Sequence, residues 1–233
     1  MQWGYGPTAQ MTEVGVVLPH IVWDWNGTLL DDLGLVVRAT NKSLEGFTDK
    51  RFSVGTYRGM FRRPVRAFHE QFIGRQFSDV EWADIDVLYH AAYSALEGQT
   101  RLAPGAADAL ALGEQQGLSQ SLLSMSEQSR LIDQVARHGL KDYFTVTQGK
   151  CEPWEDHSKV EALAGHLDWI GVDGEKAVVI GDTVDDALSA RTVGAACVLV
   201  TQSAFQLERE LALAAPVVST PLEALTKYVC REP

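Results

Sequence analysis

The chain of 233 residues has a hydrophobic share of 45% and a charged share of 22%, which is ordinary for a globular protein that buries a large core. Its net charge of −11 argues against a protein whose main task is to bind nucleic-acid phosphates, because that task requires a basic face. A small phosphorylated ligand stays compatible with this charge, since a metal ion and a few placed donors can build a local anion site inside an acidic protein.

The first predicted element is a buried strand over residues 20–24, an apolar run that ends on Asp24. Open α/β sheets carry their chemistry at the C-terminal ends of such strands, so Asp24 lies where a functional carboxylate is expected. A helical pattern then runs from Asp31 to about Phe47. Asp31 and Asp32 suit the start of this helix, because acidic side chains cap the first turn and interact favourably with the helix dipole.

The next segment, residues 42–99, contains little that is typical of a strand. Apolar residues recur three and four positions apart over 64–73 and 79–96, which predicts helices. We therefore expect a small helical cap over 42–99, inserted into a core domain that comprises residues 19–41 and 100–233. The length agrees with this division, because the chain exceeds one typical domain.

From residue 102 onward, predicted helices and strands alternate. The predicted strands cover residues 119–124, 144–146, 177–180, 196–200 and 217–218. The predicted helices cover residues 104–116, 127–138, 158–169, 185–193, 205–214 and 221–229. Such alternation implies a parallel sheet with right-handed crossovers, and therefore an α/β fold.

A second acidic cluster, residues 181–186, follows the buried run 176–180. Neighbouring strands lie about 4.8 Å apart, so Asp24 and Asp182 can share a hard divalent cation such as magnesium if their strands are adjacent. Each motif alone has a simpler interpretation as a turn that closes a strand, with Gly27 supplying a positive φ. The two motifs together favour a metal site.

Four segments in this order resemble the motifs of the haloacid dehalogenase (HAD) superfamily: Asp24-Trp25-Asn26-Gly27-Thr28-Leu29, Ser124, Lys159, and Gly181-Asp182-Thr183 with Asp186. The resemblance covers residues from about 20 to 230. It is closest to the phosphoglycolate phosphatase and β-phosphoglucomutase type, which carries a helical cap. It implies a Rossmann-like parallel sheet core and a magnesium-dependent phosphatase for a small phosphorylated metabolite. A phosphotransferase or mutase of the same mechanism is the nearest alternative.

The resemblance also implies a role for each acidic motif residue. Asp24 is the expected nucleophile, forming an aspartyl-phosphate that water then hydrolyses. Magnesium is expected on the Asp24 carboxylate, the backbone carbonyl of Asn26 and the Asp182 carboxylate. Asp186 completes the expected metal set. Asp185 rivals it, although either acid also suits the first turn of a helix.

The expected phosphate and substrate ligands lie on both parts of the chain: Thr28, Ser124, Met125, Lys159 and, from the cap, Arg62. Ser124 offers a hydroxyl at a strand tip, and Lys159 offers a positive charge to phosphate oxygens and to Asp24. Lys176 competes with Lys159, but it precedes its strand and should lie at the opposite end of the sheet. We expect one or two cap arginines to bind an anionic substrate tail, from the group Arg58, Arg62, Arg63 and Arg66.

Asn26 departs from the family pattern, which usually has an aspartate two residues after the nucleophile as general acid and base. An amide donates hydrogen bonds but does not exchange a proton at useful pH, so weak activity on alkyl phosphates is expected. Several explanations stay open: a substrate with a good leaving group, a proton from another residue, a site kept mainly for binding, or an engineered substitution. A weakened phosphate-binding or regulatory protein is therefore the alternative from a different class. The change Asn26→Asp is nearly isosteric, and we expect the fold to tolerate it.

Three cysteines, Cys151, Cys197 and Cys230, show neither paired spacing nor a zinc pattern, so we expect ordinary thiols in a reducing compartment. Residues 1–18 lack a basic segment followed by an apolar run, and no stretch approaches membrane-spanning length. The sequence therefore predicts a cytoplasmic protein, a monomer or homodimer, whose partner is a small phosphorylated metabolite rather than a membrane or nucleic acid.

Overall fold

Short apolar runs form a six-stranded parallel sheet in the computed structural model, which describes residues 20–61, 64–151, 158–201 and 215–230. The strands of this sheet are β1 (His20–Trp23), β4 (Ser119–Glu127), β5 (Thr147–Lys150), β6 (Ala177–Gly181), β7 (Ala196–Val200) and β8 (Val217–Val218). A separate antiparallel pair joins β2 (Leu30–Asp31) to β3 (Arg101–Leu102). The predicted α/β class with a Rossmann-like parallel sheet is confirmed.

Strand β1 lies in the middle of the sheet, whose order is β5-β4-β1-β6-β7-β8. Its register pairs Trp23 with Leu122 of β4 and with Ile180 of β6. Asp24, which follows Trp23, therefore lies at the level of Gly181, the last residue of β6 and the neighbour of Asp182. The condition set by the sequence, that Asp24 and Asp182 come from adjacent strands, is met.

The chain between β2 and β3 forms a helical layer. Its helices are α1 (Leu33–Ser43), α2 (Val54–Met60), α3 (Val65–Ile73) and α4 (Asp79–Leu96). Leu33 and Val37 of α1 share one apolar cluster with Phe68 of α3 and Ile85 of α4. The domain division at residues 41 and 42 stays a prediction, but this packing places α1 with the helices that follow it rather than with the sheet.

Both faces of the sheet are covered by helices. One face carries α5 (Ala106–Gln115), α6 (Gln128–Arg137) and α9 (Pro221–Ala224), and the other carries α7 (Lys159–Ile170) and α8 (Val184–Val193). Ile21 and Trp23 are buried against the first group, whereas Val22 is buried against the second. This alternation is what a strand buried on both faces requires.

Some predicted bounds are wrong. The strand predicted at 144–146 begins at Thr147, because Phe144 follows a 3₁₀ turn and packs into the core. A hydrogen bond to β4 precedes this strand, since the Thr145 N–H donates to the Gln120 carbonyl at 2.8 Å. The final predicted helix, 221–229, is α-helical only to Ala224 and continues as a π turn. Helix α2 and the β2–β3 pair were not predicted. The helix predicted at 205–214 lies outside the described residues.

Two buried histidines contact the same serine hydroxyl. The Nε2 atoms of His20 and His166 lie 2.8 and 2.7 Å from the Ser121 hydroxyl oxygen. The other ring nitrogen of His166 lies 2.6 Å from Gln148 Oε1, an acceptor, so His166 donates there and accepts from Ser121. Burial lowers the pKa of each histidine to about 4. The pair is therefore held neutral.

Protonation of His166 is expected to destabilise the fold as the pH falls. The unfolded imidazole has a pKa of about 6.5. The folded group has a pKa of about 4, so its contribution is complete above the unfolded pKa and is lost as the pH falls toward the folded one. The measurement is the free energy of unfolding in urea for wild type and for His166→Gln. The value for wild type minus the value for the variant should fall by about 2 kcal/mol from about pH 8 to about pH 5.

Comparison with the variant is needed because burial raises the pKa of Asp24 and Asp182, which acts in the opposite direction. His90→Gln, the same change at an exposed histidine, is measured in parallel as the control. A difference between wild type and His166→Gln that stays constant with pH would contradict the prediction.

Candidate active site

Asp24 lies in a buried polar group at the C-terminal end of β1. Its backbone N–H donates to the Ile180 carbonyl at 2.9 Å, which fixes the residue beside β6. Thr28 Oγ1 donates to Asp24 Oδ2 at 3.3 Å. Burial raises the pKa of Asp24 to about 6, although Lys159 acts in the opposite direction. The ionised form of this carboxylate therefore depends on nearby positive charge.

Lys159, the first residue of α7, supplies that charge. Its Nζ lies 2.5 Å from Asp24 Oδ1 and 2.5 Å from Asp186 Oδ1. Burial alone lowers the pKa of Lys159, but the two carboxylates outweigh it and hold the pKa above its ordinary value. The ammonium therefore stays charged. Lys176, its competitor in the sequence, pairs instead with Asp173 before the start of β6.

Asp182 and Asp186 complete an acidic cluster with Asp24. Carboxylate oxygens from all three lie within 4.8 Å of one another, and all three side chains are buried. Asp186 Oδ2 accepts from the backbone N–H of Thr183 at 3.0 Å and from its hydroxyl at 2.6 Å. Asp185 is only half-buried and lies outside the cluster. The geometry therefore favours Asp186 over its neighbour.

Charge within this cluster is unevenly held. Burial raises the pKa of Asp182 well above its ordinary value, and the neighbouring carboxylates of Asp24 and Asp186 raise it further. Burial also raises the pKa of Asp186, but the ion pair with Lys159 and the hydrogen bonds from Thr183 outweigh it, and the net pKa is lowered. One lysine therefore serves three acids, of which Asp182 is the least compensated.

The residues fit a hard divalent cation. The donor set consists of carboxylate oxygens, the ligands that magnesium prefers. Asp182 Oδ2 is buried without a hydrogen-bond partner in the part of the chain that the structure describes. Gly27 leaves this oxygen its space, since a Cβ there would lie 2.0 Å from it, and the glycine has a φ of +78°. A cation would compensate the oxygen that the protein leaves unpaired.

Asn26 has both ends of its side-chain amide occupied. Nδ2 donates to Asp32 Oδ2 at 2.7 Å and lies 3.3 Å from the Tyr93 hydroxyl. Oδ1 accepts from the Ser126 hydroxyl at 2.7 Å. The acceptor at one end and the donor at the other fix the orientation of the amide. The side chain at this position is thus held by protein groups on both sides.

The predicted helix-capping role of Asp32 is wrong. Asp32 occupies the N-cap position of α1, but its side chain makes no capping hydrogen bond. The carboxylate instead accepts from Asn26 and from the Tyr93 hydroxyl, the latter at 2.8 Å. Burial raises the pKa of Asp32, while these two hydrogen bonds act in the opposite direction. A carboxyl group therefore lies beside residue 26 although residue 26 is an amide.

Ser124 and Met125 lie at the end of β4. Ser124 is buried, and its hydroxyl oxygen accepts from the backbone N–H of Ser126 at 3.1 Å. Met125 is half-buried against the core on the α7 side of the sheet. A small cleft next to them is lined by Leu123, Ser124, Met125, Gln148, Gly149, Lys150 and Ala162. Their use as substrate ligands stays a prediction.

The cap arginines differ in how they are engaged. Arg62 and Arg63 lie outside the described residues. Arg66 is taken up within the cap, because its guanidinium lies 3.1 Å from Glu70 Oε1 and 2.8 Å from Asp79 Oδ1. It is therefore unsuited to a substrate tail in this arrangement.

Sequence reasoning missed four polar residues around Asn26: Asp32, Tyr93, Ser126 and Gln134. The sequence predicts Asp32 as part of a helix start and indicates no role for Tyr93, Ser126 or Gln134. The available signal was an amide at position 26 followed six residues later by an acid at position 32. Tyr93 reaches Asp32 and Asn26 only because α4 packs on the core.

A parallel α/β sheet with an acidic cluster and a lysine at the tips of its central strands defines a Rossmann-like enzyme core. The chain belongs to the haloacid dehalogenase-like hydrolases, whose family model matches residues 18–194.

Individual relatives agree with this membership. A plasmid-borne phosphoglycolate phosphatase of Cupriavidus necator is 24% identical over 218 residues, covering 92% of this chain and 94% of the relative. A phosphoglycolate phosphatase of Synechococcus elongatus is 25% identical over 216 residues, covering 90% and 98%. The crystal structure of a predicted phosphatase from Clostridium acetobutylicum has a TM-score of 0.78 at 17% identity, covering 91% and 98%, and shares the fold.

Within the described ranges, no helix combines the length and the apolar character needed to cross a membrane.

Proposed function

We propose that the protein is a magnesium-dependent phosphatase that hydrolyses a small phosphorylated metabolite through an aspartyl-phosphate on Asp24. The observation that carries the proposal is the contact of Lys159 Nζ with Asp24 Oδ1 at 2.5 Å, beside two further buried acids. A lysine in this position leaves the second oxygen of Asp24 to attack. The arrangement suits phosphoryl transfer, which needs an in-line nucleophile and compensation for charge on the transferring group.

The chain's own residues account for most of the steps. Asp24 Oδ2 forms a bond to phosphorus as the bond from phosphorus to the leaving oxygen breaks, while Lys159 holds Oδ1 and neutralises phosphate oxygens. Water then attacks phosphorus, which releases inorganic phosphate and frees Asp24. Thr28 and Ser124 supply hydroxyl donors to the same oxygens. Asp24, Asp182 and the carbonyl of Asn26 would hold magnesium, with Asp186 supporting Lys159 as well as the metal set. When bound, the ion supplies positive charge that reduces repulsion between Asp24 and an anionic substrate.

The relatives support a small phosphate monoester as the substrate class, because phosphoglycolate phosphatases of two organisms align along most of this chain. The burial of Asp24, Asp182 and Asp186 agrees with a small ligand. The side chain of Asn26 supplies no proton, and its amide is already bound by Asp32 and Ser126. We therefore infer that acyl and aryl phosphates, which leave without protonation, are hydrolysed faster than alkyl phosphates.

A weakened phosphate-binding or regulatory protein is the second candidate, and Asn26 is the observation that favours it. Such a protein would keep the phosphate ligands and lose turnover. The two candidates predict the same binding site and differ only in the chemistry that follows binding.

A turnover assay separates them. With magnesium, p-nitrophenyl phosphate and acetyl phosphate should be hydrolysed, and 2-phosphoglycolate should have a kcat/KM lower by about 10²-fold or more because its leaving oxygen needs a proton. Excess chelator should remove the activity. Hydrolysis that persists in chelator would contradict magnesium dependence. Binding of inorganic phosphate without hydrolysis of any ester would favour the binding protein.

A further inference from the structure

A chain of hydrogen bonds joins the cap helix α4 to the loop that carries the nucleophile. The Tyr93 hydroxyl of α4 donates to Asp32 Oδ2 at 2.8 Å. The same oxygen accepts from Asn26 Nδ2 at 2.7 Å, and Asn26 Oδ1 accepts from Ser126 at 2.7 Å. Four segments meet here: α4, the connection into α1, the loop after β1, and the end of β4. The side chain of Asn26 contacts a residue from each of the other three segments, namely Tyr93, Asp32 and Ser126.

Helix α6 holds the same tyrosine from the core side. The Arg130 guanidinium lies over the Tyr93 ring, 5.3 Å from its centroid, and donates to the hydroxyl of Ser94, the next residue of α4, at 3.1 Å. Gln134 Nε2 lies 3.5 Å from the Tyr93 hydroxyl, while Gln134 Oε1 accepts from Trp25 Nε1 at 2.7 Å. The ring of Tyr93 therefore seats the cap on the core, and its hydroxyl reaches the nucleophile loop.

Burial makes these hydrogen bonds consequential. Tyr93 and Asp32 are 4% and 3% exposed, so water does not readily replace a partner that is removed. A buried acceptor that loses one of two donors is left under-satisfied, which costs free energy and loosens the hydrogen-bond network around the donor that remains. For Asp32 the remaining donor is Asn26, which lies two residues from Asp24.

We propose that Tyr93 is a positioning residue for phosphoryl transfer: it holds Asp32, which fixes the amide of Asn26, so that the nucleophile loop has its working shape only while α4 is seated on the core. The proposal rests on the phosphatase function proposed above. Its physical basis is that displacement of a reacting group by a fraction of an ångström lowers the rate of a step that depends on alignment.

The test uses the full chain with magnesium and the variant Tyr93→Phe, which keeps the ring beneath Arg130 and removes only the hydroxyl. With p-nitrophenyl phosphate, kcat should fall about tenfold, the equivalent of about 1.4 kcal/mol, and KM should stay within about twofold. The dissociation constant of aluminium fluoride, a mimic of the transferring phosphoryl group, should rise about tenfold by calorimetry, because a transition-state mimic follows kcat.

Tyr89→Phe is the matched control, since Tyr89 lies one turn earlier on α4 with its ring centroid 6.0 Å from that of Tyr93. It should leave kcat, KM and aluminium fluoride binding unchanged. Equal losses in both variants, a rise in KM alone, or no change in Tyr93→Phe would each overturn the positioning role. If no ester is hydrolysed but Tyr93→Phe alone weakens aluminium fluoride binding, the phosphatase function fails, and what stands is that Tyr93 shapes the site that binds the phosphoryl group. If wild type neither hydrolyses an ester nor binds aluminium fluoride, both the phosphatase function and the role of Tyr93 are overturned.

Discussion

Asparagine in place of Asp24 is expected to lower kcat by roughly 10⁴-fold or more, the scale seen when an enzyme loses its covalent nucleophile. The amide keeps the shape of the side chain and can still contact Lys159, but it does not attack phosphorus. The fold should persist, because the change removes one of three buried acids that lie within 4.8 Å of one another and leaves Lys159 paired with Asp186. The measurement is kcat for p-nitrophenyl phosphate at saturating magnesium, with thermal unfolding recorded alongside.

Asp168→Asn makes the same chemical change at an exposed position near the far end of α7, and it should leave kcat unchanged. Borohydride trapping of the phosphorylated wild type, followed by peptide mass spectrometry, should mark residue 24. A covalent adduct at another residue, or residual turnover in Asp24→Asn within tenfold of wild type, would show that the nucleophile has been misassigned.

The arrangement of the central strands could be predicted from the sequence because it depends on local patterns. The apolar runs before Asp24 and Asp182 specify two buried strands, and the alternation of helix and strand specifies a parallel sheet. The strand tips of such a sheet meet at one edge, which is why two motifs more than 150 positions apart pointed to one site. The observed register confirms this, since Trp23 pairs directly with Ile180.

The contacts of the cap with the core could not be predicted in this way. Tyr93 and Asp32 are 61 positions apart, and neither sits in a pattern that indicates a partner. Asp32 follows a strand and precedes a helix, where an acid is usually a cap, so its local context favoured the wrong interpretation. Tertiary packing of α4 decided its role.

The displaced strand β5 shows the same limit at smaller scale. Phe144 and Val146 have the composition of a strand, but Phe144 is used to fill the core and the ladder continues through the polar residues Thr147 and Gln148. Apolar composition marks burial, and burial alone does not distinguish a strand from the turn that precedes it.

The contacts of Asn26 alter what is expected of the variant Asn26→Asp. Asn26→Asp alone replaces the amide nitrogen, which donates to Asp32 Oδ2 at 2.7 Å, with a carboxylate oxygen. Two buried carboxylates at that distance cannot both be ionised without a large penalty, and the donor to Asp32 is lost. The expectation from sequence that the fold tolerates this change is therefore not supported by the contacts, and we expect the single variant to be destabilised.

Exchanging the two side chains removes the conflict. Asp32 Oδ2 accepts from both Asn26 Nδ2 and the Tyr93 hydroxyl, so in Asn26→Asp/Asp32→Asn the amide nitrogen at position 32 takes the place of that oxygen and donates to the carboxylate at position 26 and to the Tyr93 oxygen. The Tyr93 hydroxyl then donates to the carboxylate at position 26, whose nearer oxygen takes the place of an atom 3.3 Å away, and Ser126 still donates to residue 26. Every group keeps a hydrogen-bond partner, although the Tyr93 hydroxyl now donates to residue 26 rather than to residue 32. The net charge is unchanged, and a carboxyl group capable of proton transfer now follows the nucleophile by two residues. The free energy of unfolding should return to within about 1 kcal/mol of wild type.

The exchange should then accelerate hydrolysis of alkyl phosphates such as 2-phosphoglycolate by roughly 10²-fold or more, with a much smaller gain for p-nitrophenyl phosphate. The gain is selective because an acid matters most where the departing oxygen is most basic. All four proteins of the cycle, including Asp32→Asn alone, are compared at saturating magnesium, since a carboxylate near Asp24 also alters metal affinity. Equal rates for the two substrates in wild type, with no gain in the exchanged protein, would show that another group already performs the proton transfer.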